Sequence, residues 1–206
     1  MTLTTYLLYL LAVTVLIVTP GPTMLMTLSN SLALGPARAL ASLGGALAAN
    51  FGIMVLSALG LGALLAASAT AFTVLKVAGA AYLIWLGIRT FRGTGSLDFS
   101  GTAAPGRGSL FMQGVLVGAS NPKSLLFFTA FFPQFIEPSA PFAPQFLLLS
   151  LTFVVGDFLV LGAAAFGVGR VRPWLQQAHV VRWIQRTCGG LFALLGALLL
   201  LSRRPA

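Results

Sequence analysis

Charge is what this chain has least of. Its 206 residues include only three acids, Asp98, Glu137 and Asp157, against twelve Lys and Arg, and charged residues make up 7% of the total. An ordinary soluble domain carries about 25%. Fifteen charges cannot supply the polar shell that a water-soluble protein of this length needs. Disorder is excluded from the other direction, because 58% of the residues are hydrophobic. A lipid bilayer is the remaining solvent. Cysteine and histidine are nearly absent too. The single Cys188 cannot close an internal disulfide or form a CxxC pair, and the single His179 lacks the second histidine of a typical metal site. No Lys or Arg precedes the first apolar run, 7–18, and Pro20-Gly21-Pro22 follows it in place of a small-residue cleavage site. That run therefore reads as a retained membrane helix, not a signal peptide.

What is present is a series of long apolar runs. A bilayer crossing takes about 20 mostly apolar residues, and six stretches qualify, at roughly 5–29, 40–67, 70–90, 110–133, 145–169 and 183–202. Turn chemistry separates them. Gly35-Pro36 divides the first pair, and the polar segment from Gly93 to Pro105-Gly106 divides the third from the fourth. Pro138, Pro141 and Pro144 break the fourth from the fifth, and Arg172-Pro173 with Gln176-Gln177 breaks the fifth from the sixth. The second and third join near 66–70 through a short tight turn. The expected fold is all-α, with six transmembrane helices and no cofactor.

The net charge of +9 would ordinarily invite a nucleic-acid partner. Position argues otherwise. Arg38, then Arg89, Arg92 and Arg107, then Arg170, Arg172, Arg182 and Arg186 fall in three loops on one side; Lys76, Arg203 and Arg204 fall on the other. Eight against three, by the positive-inside rule, assigns the arginine-bearing loops to the cytoplasm and both termini to the outside. The charge is a topology label, and no nucleic acid is expected.

Three spans precede the central polar loop and three follow it, so homologous halves would insert in opposite orientations, as in many secondary transporters. The expected units are a first repeat over 1–92, a cytoplasmic linker over 93–109 and a second repeat over 110–206. Internal likeness supports them. Pro20-Gly21-Pro22-Thr23 matches Ser120-Asn121-Pro122-Lys123, Ala49-Asn50 matches Gly156-Asp157, and Lys76-Val77-Ala78-Gly79 matches Arg186-Thr187-Cys188-Gly189. The offsets of 100, 107 and 110 residues rise in order, as small insertions require.

These residues resemble the LysE/RhtB family of bacterial amino-acid exporters. The most specific pieces are Thr19-Pro20-Gly21-Pro22, Asn121-Pro122-Lys123, and the run from Leu75-Lys76-Val77-Ala78-Gly79 to Trp85-Leu86-Gly87. The resemblance covers nearly the whole chain. It implies a bacterial inner-membrane protein that exports amino acids or related metabolites, coupled to the proton gradient. In that family the position of Asn50 is frequently acidic; here it is neutral.

The candidate site follows from the breaks. Proline inside a helix removes a hydrogen bond and frees a carbonyl, which in lipid costs several kcal/mol unless something satisfies it. Pro20, Gly21 and Pro22 in the first span, and Asn121 and Pro122 in the fourth, therefore predict broken helices facing protein or a water-filled cavity. Freed carbonyls there suit a substrate ammonium, and a half-helix beginning near Thr23 suits its carboxylate. A simple proline kink is the plainer alternative. Lys123 lies inside the fourth span, where an ammonium costs at least about 2.5–3.5 kcal/mol. Asp157 is the one carboxylate inside a span. The two are expected to partner each other, directly or through substrate and water, either as a structural ion pair or with Asp157 exchanging a proton while Lys123 orients a carboxylate. Asn50 is read as a hydrogen-bonding amide between helices or a substrate contact. Gln113 is read as interfacial, Lys76 and Arg186 as snorkelling, and Tyr82 with Trp85 as packing. Gly114-xxx-Gly118 matches a helix-packing pattern that serves either the bundle or a homodimer.

An enzyme would need a nucleophile with a base in reach, and no such arrangement is legible. A metal exporter of a related three-plus-three fold would need clustered Asp, His or Cys in the spans, where Asp157 stands alone. A passive channel would show polar rings along a pore. A site with one Lys and one Asp is close to neutral and suits a zwitterion such as threonine, homoserine or a branched-chain amino acid.

Overall fold

The computed structural model describes residues 1–67, 69–93, 109–137 and 139–201. Most of the 93–109 linker, with Asp98 and Arg107, lies outside the described residues, as do Pro138, the tail arginines Arg203 and Arg204, and the side chain of Lys76. All regular structure among the described residues is helical.

Helix α1 (Leu3–Val18) starts where the Thr2 hydroxyl accepts the Thr5 N–H, at 3.2 Å. It ends just before Pro20, and α2 (Pro22–Leu34) restarts with Pro22 in the first helical position, where a missing N–H costs nothing. The two halves meet at 49°. Gly35, at φ +87°, ends α2 in a conformation that a side chain would strain, and Pro36 opens α3 (Pro36–Ala67) at once. Helix α4 (Ala69–Phe91) follows across Ser68, so the tight turn expected near 66–70 centres on a residue outside those described.

The second half repeats the first break. Helix α5 (Leu110–Ser120) stops at Asn121, whose side-chain oxygen accepts the Lys123 N–H, and α6 (Pro122–Leu126) restarts on Pro122. It runs on through a π-helical turn (Phe127–Phe131) and a 3-10 turn (Phe132–Phe135). The bend is 54°. Helices α7 (Phe142–Phe166), α8 (Val168–Leu175) and α9 (Ala178–Leu201) complete the chain. The expected break at Arg172-Pro173 is instead the last turn of α8: those residues hold helix, and the chain turns at Gln176-Gln177.

Among the described residues two helices, Pro36–Gly60 and Phe142–Phe166, are long and apolar enough to cross a bilayer, or up to four crossings if each bent pair is one span. The third and sixth expected spans correspond to α4, whose described apolar run Val77–Phe91 is short, and α9, which carries Arg182 and Arg186 in its first half. The exterior is apolar. Leu147, Leu151, Val155, Phe158 and Leu159 all project outward from α7. A surface of this kind is stable in lipid and not in water.

The core gathers Tyr9, Leu16, Phe127, Phe128, Phe132 and Phe153. Phe128 and Phe153 meet edge to face with centroids 4.6 Å apart, and the Tyr9 hydroxyl donates to the Leu149 carbonyl at 2.9 Å. Small residues bring backbones together elsewhere. A Cβ on Gly45 would collide with the Phe111 carbonyl, one on Gly114 with the Ser42 carbonyl, and one on Gly118 would lie 2.8 Å from the Ala46 carbonyl. The Gly114-xxx-Gly118 face is thus occupied within the chain, locking α5 to α3. At one end of the bundle Leu28, Leu175 and Val181 join α2, α8 and α9. Elsewhere, the N-terminal ammonium pairs with Glu137 at 3.1 Å, which places the N-terminus beside the turn ahead of α7. That ion pair and the Ser139 hydroxyl hold the Glu137 carboxyl below its ordinary pKa.

Candidate functional site

The two helix breaks meet. At the end of α1 the carbonyls of Leu16 and Thr19 have no N–H to receive, because Pro20 lacks one and the chain then turns. The ammonium of Lys123, projecting from the opposite break, donates to both, at 2.6 Å and 2.7 Å. Hydrogen bonds from a charged donor contribute roughly 1.5–3 kcal/mol each, enough to offset the insertion cost of the lysine. The negative end of the α1 dipole adds to the attraction. Gly21 lies beside it: a Cβ there would meet Lys123 Nζ at 3.4 Å, an ordinary contact.

A second polar contact closes the junction. Asn121 Nδ2 donates to Thr23 Oγ1 at 3.2 Å and to Ser124 Oγ at 3.1 Å. These bonds tie the start of α2 to the start of α6. The amides of Thr23 and Met24 lie ahead of the first backbone bond of α2, which runs from the Leu25 N–H to the Gly21 carbonyl at 3.0 Å. The 13-residue α2 therefore turns its positive end toward the junction.

Around this junction lies a cavity. Gly21, Thr23 and Met24 come from the first break, Asn121, Lys123 and Ser124 from the second, Asn50 from α3 and Asp157 from α7. Leu16, Ile17, Phe153 and Leu161 form its apolar wall. The volume is about 20 Å³, and a single water needs about 10–15 Å³ on the same measure. The cavity therefore has room for one or so waters, and an amino acid fits only when helices separate. Asp157 is 5% exposed. Asn50 is 1% exposed, and its side-chain oxygen has no hydrogen-bond partner. Buried acceptors are rarely left so.

Six of the residues expected at the site converge on this cavity: Gly21, Thr23, Asn50, Asn121, Lys123 and Asp157. Pro20, Pro22 and Pro122 do not line it; they shape the breaks that open it. Of the two expected pairings of Lys123 with Asp157, direct or through substrate and water, the direct one is not formed. Among the described residues the ion pair is Met1 with Glu137, and the lysine is held by carbonyls instead. Those carbonyls, expected to be open to a substrate ammonium, are thereby occupied. The helix-breaking prolines make α1 the nearer acceptor, and Asp157 faces the lysine across the cavity. Sequence reasoning missed Met24, Ser124 and Phe153. Ser124 was accessible to it, one turn after Asn121; Phe153, on another helix, carried no signal. Gln113 has a partner within the bundle. It is not merely interfacial, since its Oε1 accepts from the Asn30 amide at 2.9 Å. Tyr82 reaches the Pro122 carbonyl at 3.4 Å, so it braces the second break from α4. Among the described residues no three His, Cys, Asp or Glu side chains gather where they could hold a metal.

A LysE type translocator family model matches residues 14–203. The chain belongs to the LysE type translocator family. Such a protein is a membrane translocator and not an enzyme. Among its relatives, the homoserine/homoserine lactone efflux protein of Salmonella typhimurium is 41% identical over 197 residues, covering 95% of each chain. The protein of the same name from Salmonella typhi is also 41% identical over the same length. An uncharacterized membrane protein of Vibrio cholerae is 35% identical over 198 residues, covering 94% of this chain and 95% of its own. No solved structure matches. For this LysE type translocator, the two broken helices and the polar cavity between them are the features a solute carrier needs: a site at the interface of discontinuous helices, with charge of both signs.

Proposed function

We propose that this translocator exports small zwitterionic amino acids, homoserine foremost, from the cytoplasm in exchange for protons. The observation that carries the reading is one cation and one carboxylate, Lys123 and Asp157, lining the same small cavity. A zwitterion presents the complementary pair. Its carboxylate would take the remaining N–H of Lys123, the Thr23 hydroxyl and the first amides of α2. Its ammonium would take Asp157 and the unpartnered oxygen of Asn50. Pro20, Gly21, Pro22, Asn121 and Pro122 hold that geometry. Asp157 would carry the exchanged proton, releasing the ammonium when it is protonated. The names of the Salmonella relatives favour homoserine within this class.

In this reading the chain crosses the bacterial inner membrane six times, as inverted repeats over 1–92 and 110–206. The arginine-bearing loops face the cytoplasm and both termini face the periplasm. The matched breaks, bent by 49° and 54°, support the repeat. The test is uptake of labelled homoserine into inverted membrane vesicles with an imposed proton gradient, acidic inside. Gradient-driven uptake with homoserine counterflow is expected. Counterflow that works only with solutes other than amino acids would overturn the substrate class, and indifference to the gradient would overturn proton antiport.

A further inference from the structure

The cavity is not the end of the polar surface. Below it, α2 carries Thr27, Asn30 and Ser31, all buried, on the same face as Thr23. The spacing of four, three and one residues keeps these side chains within a strip of about 100°. The strip runs toward the end of the bundle where Leu28, Leu175 and Val181 meet, beside arginine-bearing α8. Seven residues separate Thr23 from Asn30, about 10 Å along the helix. Leucines in these positions would pack a membrane core at no desolvation cost, so a continuous buried polar strip calls for a reason.

Its lower end is shut by hydrogen bonds. Asn30 Nδ2 donates to Ser42 Oγ on α3 and to Gln113 Oε1 on α5, each at 2.9 Å. Ser31 Oγ donates to the Ala165 carbonyl on α7 at 2.6 Å. The elements that Asn30 bridges differ in freedom. Helices α3 and α5 touch backbone to backbone at Gly45, Gly114 and Gly118 and form one tightly packed unit. Helix α2 has no backbone bond continuing α1 across Pro20 and Pro22 and joins α3 through Gly35 alone, so it has a pivot at each end.

We propose that this strip of α2 is the route between the cavity and the arginine-bearing end, and that Asn30 is the latch that closes it against Ser42 and Gln113. Opening breaks two hydrogen bonds and tilts α2 away from the α3–α5 unit, which exposes Thr27 and leaves polar groups along the path of a polar solute. The inference rests on the export reading for its purpose, but its test needs no substrate.

The experiment places a single thiol on the strip, Thr27→Cys in a Cys188→Ala background, and exposes inverted membrane vesicles to a charged, membrane-impermeant methanethiosulfonate. Slow labelling is expected with the latch intact. Asn30→Ala should speed it about tenfold or more, and so should Gln113→Ala, which removes the partner without altering α2. Equal labelling rates in all three proteins would overturn the proposal. So would failure of Thr27→Cys to label in any of them, or labelling solely from the opposite face in right-side-out vesicles. Absence of homoserine transport alongside accelerated labelling would count against the substrate and leave the route standing.

Discussion

The ammonium of Lys123 is bound to the carbonyl oxygen of Thr19 at 2.7 Å, joining the middle of one broken helix to the middle of the other. The bond does two things. It satisfies a carbonyl that the break at Pro20-Gly21-Pro22 leaves without a backbone donor, and it parks a positive charge at the edge of the cavity. Removing the charge and removing the hydrogen bond are therefore separable. Lys123→Gln keeps a donor within the junction and should yield folded protein in the membrane with export reduced at least tenfold. Lys123→Ala also strands the Leu16 and Thr19 carbonyls, each costing about 1–3 kcal/mol when buried unpaired. Thermal unfolding in detergent, set beside vesicle transport, should show Lys123→Ala destabilised and Lys123→Gln much less so.

Asp157→Asn retains shape and removes the only carboxylate at the cavity. The protein should reach the membrane in normal amount, and proton-driven export should be lost. Vesicle uptake with and without a proton gradient measures this. Normal gradient-driven export by the variant would remove Asp157 from the mechanism.

Asn50→Asp places a second carboxylate beside Asp157. The cavity then favours net positive solutes. Homoserine transport should fall, and lysine or arginine should compete for uptake more strongly than against the native protein. Competition assays with labelled homoserine read the change in rank order.

Neighbouring glycines of α3 should answer differently to the same substitution. A Cβ on Gly45 would strike the Phe111 backbone, whereas Gly44 has open space within 4 Å. Gly45→Ala must spread α3 from α5 and should destabilise by roughly 1–3 kcal/mol. Gly44→Ala should be neutral or stabilising by up to about 1 kcal/mol, since alanine restricts the unfolded chain. Paired unfolding curves in the same detergent decide.

Gln145 clamps the turn ahead of α7. Its Nε2 lies 3.0 Å from both the Glu137 and Pro141 carbonyls, and its Oε1 accepts the Glu137 N–H at 2.9 Å. Gln145→Leu leaves these part-buried backbone groups without their side-chain partner. A loss of about 2 kcal/mol or more is expected, with faster proteolysis at 136–141 as the local readout.

The lack of charge along the chain already dictated much of this. Apolar runs required a membrane, because neither water nor disorder suits them. Pro20, Pro22 and Pro122 dictated two broken helices, because a proline ring forbids the bond that would continue each one. Lys123 and Asp157 stood out as soon as the other charges were assigned to ends and loops. These are local consequences of covalent geometry and solvation, so they can be read one residue at a time.

Which acceptor Lys123 chooses was a matter for the tertiary structure alone. Sequence offers it a single carboxylate, whereas the packed bundle brings two freed carbonyls of α1 closer and leaves Asp157 facing it across the cavity. The gathering of Asn50 and Phe153 at the same cavity, and the bridge from Asn30 to Ser42 and Gln113, likewise depend on how α3, α5 and α7 cross α2. Those crossings are set by contacts such as Gly45 on Phe111 and Gly114 on Ser42. A glycine in the sequence announces that some backbone can come near; only the folded chain decides which one does.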